Sequence, residues 1–410
     1  MRIGLIAAEY SYPNNGGGIG TYTKTLAHAL AQAGHTTHVI ADAPNGGRTV
    51  REGSILVHHV PPVRLVLGPL RPLFYRWVGV PLEMVERAVA VRRAVRRIRR
   101  RYGLDVVEAP EWGAEGLLLS GPGVPPLVVR FHGPRFLVRE LNGLKRTRSE
   151  LIADLLEQLA VRLAKRTTSP SRSVSQLLAR RYKRQDLLRH TTVIPNPVDT
   201  DLFQPGDRNA GPAVARAESI LFVGRLERRK GPHILADALK QVLPACPGSR
   251  AVFVGADTES APGGSSMTAY IRRMLGELAP RADFPGQVPR EETRGFYRSA
   301  TLAVVPSLQE PFGYTCAEAL ACGAAVVASN TGGLAEMITD GENGRLVPPD
   351  DAHALGHTLI ELLREPAALA ELRQNARRFA VERLDRATVA RDTVELYEEV
   401  TSWAQVTGRT

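Results

Sequence analysis

Short, continuous apolar runs alternate along this chain with stretches whose apolar residues recur every three or four positions. The first run, "RIGLIAA" from Arg2 to Ala8, reads as a strand buried on both faces. A Gly-rich loop, "NNGGGIG", follows. Then "TYTKTLAHALAQAG" carries apolar residues at helical spacing as far as Gly34, where a glycine stops the helix. "THVIADA", "ILVHHV", "DVVEA", "PLVVRF" and "TTVIP" are the next strand candidates. Strands of this type, separated by helices, predict a parallel sheet covered on both faces. The pattern restarts near residue 219 with "SILFVGR" and the helix "HILADALKQVL", and continues through "RAVFVGA", "DFPGQV", "LAVVPS" and "AAVVASN".

Two successive α/β units are therefore expected. Between them lies "NPVDTDLFQPGDRNAGPA", residues 196–213, rich in Pro, Gly, Asn and Asp and without periodicity. The division is 1–195, 196–385 and a final segment, 386–410. That segment carries a long helix over about 386–404, placed after the second sheet is complete and free to cross back to the first unit.

Composition narrows the class. The 410 residues hold 53 basic and 42 acidic side chains, a net charge of +11. This suits an anionic ligand, an anionic membrane surface or nucleic acid without choosing among them. Cys246, Cys316 and Cys322 lack a CxxC spacing, which disfavours a disulfide framework or a zinc site and fits a reducing cytoplasm. No apolar run approaches the length of about 18 residues that a spanning helix needs. The N-terminal apolar run is also short and leads directly into a Gly-rich turn, so it reads as a strand, not a leader.

Three loops carry candidate chemistry. Gly16 to Gly20 would let a ligand approach the backbone at a helix N-terminus, where free N–H groups favour phosphate. A ligand-free strand–helix turn explains the same glycines equally well, and the spacing is not GxGxxG. "GRLERRKG", Gly224 to Gly231, sits at the carboxyl end of the first strand of the second unit, where ligands bind in such sheets. Arg225 offers a planar fork to phosphate and Lys230 a point charge; the plain alternative is a solvated basic turn.

The third loop is "EPFGYTCAE", residues 310–318. Glu310 precedes a proline and so belongs to the loop after "LAVVPS". A helix is expected from about Thr315 to Gly323, with Glu318 in its first turn. The N–H groups of Gly313, Tyr314 and Thr315 would suit a phosphate, and a carboxylate accepts hydrogen bonds from paired sugar hydroxyls. The plain alternatives are a solvated loop acid and a first-turn acid that complements the helix dipole.

Taken in order, the GGxG loop, "GRLERRKG" and "EPFGYTCAEALACGAAVVASNTGGLAEMITDGENGRLVPPDD" resemble the large retaining glycosyltransferase family 4. "IPNPVDTDLF" is similar to that family's interdomain linker, with Asn196-Pro197 where Asn-Gly is commoner. The resemblance covers most of the chain and is weakest between residues 45 and 103. It implies a GT-B fold: two Rossmann-like, doubly wound parallel-sheet domains facing a central cleft, the first binding the acceptor and the second the nucleotide sugar.

The resemblance also implies roles. Arg225 and Lys230 would hold the donor diphosphate, with Gly17 and Gly18 against it from the other domain. Glu310 would bind donor-sugar hydroxyls and Glu318 the ribose. Phe312, Gly313, Tyr314 and Thr315 would give backbone contacts, and Val288 would lie by the base. His132, after "PLVVRF", matches the family's catalytic-cleft histidine; a core or capping histidine is the alternative. The implied partners are a nucleotide-sugar donor and a hydroxyl acceptor, with no nucleic acid. No Asp-x-Asp manganese motif stands out, so neither a metal nor another cofactor is expected. With no dedicated carboxylate nucleophile in sight, a front-face reaction with retention is the expected mechanism.

Residues 61–102 are the other distinctive feature. "PPVRLVLGPLRPLFYRWVGVPLEM" mixes Arg with apolar and aromatic residues, and "RAVAVRRAVRRIRRRYG" puts eight arginines on one helix. Either this helix covers the sheet with a solvated basic face, or it lies on anionic lipid at the inner face of the membrane. "DTESAPGGSSM", 257–267, is read as a mobile flap or a solvent loop. A sugar isomerase or phosphorylase of similar fold, and a non-enzymatic basic binding protein, are the competing functional classes. The latter leaves Glu310 and Glu318 unexplained.

Overall fold

The computed structural model describes residues 1–406 apart from 12–16, 44–45, 66–70, 142–145, 208–211 and 213–217; at 11, 71–74, 76–77, 138, 141 and 404–406 it describes the backbone alone. Gly16, residues 66–70 of the basic segment, and 208–211 and 213 of the boundary segment lie outside the described residues. Contacts divide the chain into two units: Met1–Pro197 with Arg386–Thr410, and Val198–Asp385.

The first unit is built on eight strands: β1 (Arg2–Ile6), β2 (Thr36–Asp42), β3 (Arg48–Glu52), β4 (Ile55–Val60), β5 (Val106–Pro110), β6 (Leu127–Arg130), β7 (Arg166–Ser169) and β8 (Thr191–Val193). Their order is β3-β4-β2-β1-β5-β6-β7-β8, all parallel except β3, which runs antiparallel to β4 at the edge. The helices are α1 (Gly18–Gln32), α2 (Arg71–Tyr102), α3 (Arg135–Leu141), α4 (Arg148–Leu163), α5 (Arg172–Arg181) and α6 (Leu187–His190). Ile3, Leu5 and Ile6 of β1 are buried, as a central strand requires. The helix α1 starts earlier than expected, with Gly17 as its N-cap, so Gly18 and Gly20 are helical residues.

The basic helix α2 is a sheet-covering helix. Ala90, Val91, Ala94, Val95 and Ile98 are buried in the core with β-strand residues Ile6, Ile40 and Val107. Burying these five side chains contributes roughly 1–2 kcal/mol each. Three of its arginines are tied down on its polar side. Arg87 pairs with Asp42 and Glu115, Arg92 donates to the carbonyls of Leu118 and Ser120, and Arg96 donates to that of Pro122. Pro81 lies inside the helix and Val78 is non-helical, which marks a kink.

In the second unit the strands are β9 (Ser219–Val223), β10 (Arg250–Val254), β11 (Ala282–Gly286), β12 (Leu302–Val305), β13 (Val326–Ser329) and β14 (Arg345–Val347). They lie in the order β11-β10-β9-β12-β13-β14, all parallel. Between and after them come α7 (Pro232–Ala245), α8 (Met267–Leu275), α9 (Thr293–Ser299), α10 (Tyr314–Ala321), α11 (Leu334–Met337), α12 (Ala352–Arg364) and α13 (Pro366–Phe379). The direction of winding reverses between β9 and β12. The carboxyl ends of those two strands form the switch point where open α/β sheets take ligands. Two apolar cores cover the two faces of this sheet.

The last helix, α14 (Arg386–Val406), belongs to the first unit and packs along α1. Its Tyr397 hydroxyl donates to Glu108 on β5 at 2.9 Å. Three strands were not foreseen. β3 ("RTVRE") and β7 ("RTTS") are polar and β14 ("RLV") is very short, so none offers an apolar run.

Candidate active site

In the second unit, two loops leave the switch point and meet. After β9 the chain turns through Gly224 and Arg225 into a 3-10 turn, Arg228–Lys230, and then into α7. After β12 it runs through Ser307 to Glu310 and into α10. The Leu308 N–H donates to the Arg229 carbonyl at 2.9 Å and joins the loops. The Lys230 ammonium donates to Glu310 Oε2 at 2.5 Å, Ser307 Oγ donates to the same oxygen at 3.3 Å, and Arg229 Nη1 lies 3.8 Å from it. Arg229 also donates to Glu227 at 2.6 Å, and Glu227 accepts from Arg225 at 3.2 Å. The structure thus strings Arg225, Glu227, Arg229, Glu310 and Lys230 into one alternating chain of charges.

Burial separates the members. Glu310, Glu227 and Arg229 are buried, while the Arg225 side chain is 64% exposed and reaches out. Neither the solvated-acid reading of Glu310 nor the solvated-turn reading of Arg229 and Lys230 survives. Burial alone would raise the Glu310 carboxyl, but Lys230 and Arg229 outweigh it and hold it below its ordinary value. Burial pulls the Lys230 ammonium down, opposed by Glu310.

The segment after Glu310 is shaped by close approaches. Gly332 has φ +54°, and a Cβ there would come 2.1 Å from the Glu310 carbonyl oxygen. The next N–H, of Gly333, donates to that same carbonyl at 2.8 Å and holds the loop. Gly313 caps α10 at φ +99°, in the left-handed region. A side chain there would run into Leu334 at 2.7 Å. Tyr314 and Thr315 are the first two residues of α10, so the N–H groups of its first turn belong to them and to Cys316. Phe312 is buried and meets Tyr314 edge-on at 5.3 Å.

Because α10 begins at Tyr314, Glu318 is its fifth residue and lies in the second turn, not the first. A dipole-complementing role therefore does not explain it. Glu318 is buried and accepts from Arg290 Nε at 2.7 Å. Burial raises its carboxyl, opposed by Arg290. Arg290 is set over the rings of Phe203 and Tyr314, and its Nη2 is buried with no partner among the described residues. Val288, two residues earlier, is partly buried against the core that contains Phe312. The loop 257–267 closes on itself. Asp257 accepts from Ser266 Oγ and the Thr268 N–H, and the Thr258 hydroxyl donates to the Leu226 carbonyl at 2.6 Å.

In the first unit, His132 follows β6 and is partly buried, with Tyr22 of α1 edge-on to its ring at 4.9 Å. Burial, and then Arg130, drive its imidazole well below the ordinary value, so it is neutral. Beneath it lies a fully buried carboxylate, Glu111. This accepts the His132 N–H at 2.8 Å with each oxygen and the Gly133 N–H at 2.7 Å. Burial pushes Glu111 up to about 7, against those N–H groups. Glu157 of α4, also fully buried, accepts the Gly113 N–H at 2.9 Å and is pushed up to about 8 by burial. The Gly17 N–H donates to Glu9 at 2.8 Å, and space is open where a Gly18 side chain would be.

Of the expected residues, the structure brings Lys230 and Glu310 into contact and links Arg225 to them through Glu227. It seats Glu318 on a separate pair with Arg290. Within the first unit, Gly17 and Gly18 open α1, the helix whose Tyr22 touches His132. Sequence reading noted Arg229 only as part of the basic turn and passed over Glu227, Ser307, Arg290, Glu111 and Glu157. Glu227 and Arg229 lie inside "GRLERRKG", and Glu111 directly follows the carboxyl end of β5, so position alone marks these three. Among the described residues, no group of His, Cys, Asp and Glu is arranged to hold a metal ion.

Two family profiles match the chain. That of Glycosyltransferase Family 4 covers residues 16–202 and that of Glycosyl transferases group 1 covers 204–379. The chain is 30% identical over 407 residues to a D-inositol 3-phosphate glycosyltransferase of Acidothermus cellulolyticus, covering 92% of this chain and 85% of that protein. It is 30% identical over 422 residues to the phosphatidyl-myo-inositol mannosyltransferase of Mycobacterium tuberculosis, covering 98% and 97%. Among solved structures, it resembles a sucrose-phosphate synthase from Thermosynechococcus elongatus, with a TM-score of 0.77, 25% identity and coverage of 98% and 99%. Anabaena HepE in complex with UDP shares the fold, with a TM-score of 0.71, 21% identity and coverage of 97% and 99%.

Proposed function

The chain belongs to glycosyltransferase family 4, with the GT-B fold, and we propose that it moves a hexose or N-acetylhexosamine from a UDP-sugar to a hydroxyl acceptor, with retention of configuration and without a metal. The observation that carries this reading is the Lys230–Glu310 pair at the switch point, with Arg225 exposed beside it. Two cations stand in the loop after β9, and Glu310, which Lys230 holds, lies in the loop that leads into the first turn of α10. An anionic diphosphate fits there, and charge growing on it as it departs is stabilised by groups already in position. Glu310, held ionised, accepts hydroxyls of the donor sugar, and Glu318, oriented by Arg290, takes the ribose. The unpartnered Arg290 Nη2 gives that end of the site one further donor. Backbone groups of residues 312–315 contact sugar and phosphate, and Val288 lies along the base.

On this reading the first unit binds the acceptor, and the N–H groups at the start of α1, at Gly17 and Gly18, suit an anionic group. Neutral His132, braced from below by Glu111, has a ring able to hydrogen-bond a sugar hydroxyl. The leaving phosphate helps to remove the acceptor's proton on the front face, so no carboxylate nucleophile is required. The reaction takes place in the cytoplasm. Mannosyl transfer from a GDP-sugar is the second reading. It is favoured by the relative named as a mannosyltransferase, which this chain covers almost end to end.

Thermal shift and product formation over UDP-, GDP- and ADP-linked sugars test both. Stabilisation and turnover with a UDP-hexose alone support the first reading, and with GDP-mannose alone the second. A labelled donor that is only epimerised removes both. Glu310→Ala should cripple transfer while leaving free-nucleotide binding largely intact, and equal loss of the two would remove Glu310 from the sugar.

A further inference from the structure

The helix α4 is apolar on two sides: Ala153, Ala160 and Val161 are buried in the core with Leu156 and Leu163 packed there, and a second apolar row faces outward. Its three acidic residues all turn inward: Glu150 pairs with Arg139 and Arg135, Asp154 with Arg146 and Arg181, and Glu157 accepts the Gly113 N–H. Its outward face instead carries Leu151 (41% exposed), Ile152 (38%), Leu155 (62%) and Leu159 (44%). Arg148 and Arg162, both exposed, stand at the two ends of this row. Residues 148, 152, 155, 159 and 162 step by four and three, so they form one stripe along the helix. No acidic residue of the helix is among its exposed positions. Polar groups normally face out and leucines in, and a stripe of this kind reports an interaction surface.

We propose that this face of α4 docks onto an anionic lipid bilayer. A helix of 16 residues, about 24 Å long, can lie flat with its leucines among the acyl chains and its arginines at the phosphates. Charge selects this occupant over a second copy of the chain. Two such faces brought together, parallel or antiparallel, set arginine against arginine at both ends with no acid on the stripe to compensate. An anionic surface pairs with both arginines at once, and the chain's net charge of +11 supports the approach. The contact differs from the one that the arginine-rich α2 suggested, because the apolar side of α2 is buried in the core. It is also independent of which sugar the protein transfers.

Sedimentation of the full-length protein with vesicles tests the proposal. Phosphatidylcholine vesicles with about one third phosphatidylglycerol should bind it and phosphatidylcholine alone should not, and binding should weaken as salt rises. Leu155→Glu with Leu159→Glu should lower binding about tenfold or more, and Arg148→Glu with Arg162→Glu should lower it and reduce its salt dependence. All four positions are exposed, so thermal unfolding should be unchanged and will show that the variants are folded. The proposal falls if the wild type stays in the supernatant, or if the Leu155/Leu159 variant binds as the wild type does. It falls equally if Arg93→Glu with Arg97→Glu on α2 alone abolishes binding. A concentration-dependent dimer in size-exclusion chromatography, lost in the Leu155/Leu159 variant while vesicles are ignored, would assign the face to a second copy.

Discussion

Two sets of buried glutamates face opposite electrostatic fates in the two units. In the second unit Glu310 is buried against Lys230 and Arg229 and is held below its ordinary value. In the first unit Glu111 and Glu157 are just as buried, but their hydrogen-bond partners are backbone N–H groups, and burial pushes them up to about 7 and about 8. Burial is common to both sets and therefore cannot be the cause of the difference. At Glu310 two cations outweigh the cost of desolvating the carboxylate; the single Arg290 at Glu318 and the peptide dipoles at Glu111 and Glu157 offset only part of it. The second unit keeps a pattern of charge at Lys230, Arg229 and Glu310, whereas Glu111 and Glu157 hold the backbone N–H groups of His132, Gly133 and Gly113.

Lys230→Met would break this contrast most severely. It leaves Glu310 buried with only the more distant Arg229 as cation, at an expected cost of about 3–5 kcal/mol in stability. Transfer should fall by about a hundredfold or more, as expected for losing one preorganised charge. Urea unfolding and steady-state rates would measure the two effects. A variant with near-native stability and rate would show that the pair is incidental.

A middle-sized effect is expected at Glu111. Glu111→Ala strips the acceptor from the His132 and Gly133 N–H groups and should cost about 2–4 kcal/mol. Glu111→Gln keeps an acceptor oxygen and should recover roughly half of that. If Ala and Gln are equally stable, the brace is not what supports this turn.

The third effect has the opposite sign. The folded Glu157 carboxyl titrates near 8, far above an unfolded glutamate. Between the ordinary range and 8 the folded state holds a proton that the unfolded state has lost, so this group lowers stability as pH rises through that window. Glu157→Gln keeps an acceptor for the Gly113 N–H and removes the titration. It should be more stable than the wild type at pH 8, and that gain, read as a difference in Tm, should shrink steadily as pH falls to 5. Equal Tm differences at the two pH values would show that Glu157 is ionised throughout.

Much of the fold could be read along the chain. Runs such as "RIGLIAA", "SILFVGR" and "LAVVPS" are central parallel strands, and buried parallel strands have no option but to be continuously apolar. The edge strands β3 and β14, and β7 one strand in from the edge, went unread because their backbone pairing is set by neighbouring strands, not by their own side chains. Positions in the candidate site were readable wherever they follow a strand's carboxyl end, as Arg225, Lys230 and Glu310 do. Partners were not readable: Lys230 and Glu310 stand eighty positions apart.

The sequence by itself determined two parallel α/β units, the loops that carry the chemistry and the acidic and basic groups within them. These follow from local periodicity, from glycine at close approaches and from the rule that ligands gather at strand ends. The tertiary structure decided which charges pair, that Glu318 sits a turn further along α10 and answers to Arg290, and that α2 covers a sheet while α4 turns Leu151, Leu155 and Leu159 outward. Each of those outcomes depends on what another segment places opposite. Solvent exclusion and ion pairing act between residues close in space, and distance in space is what a linear pattern does not encode.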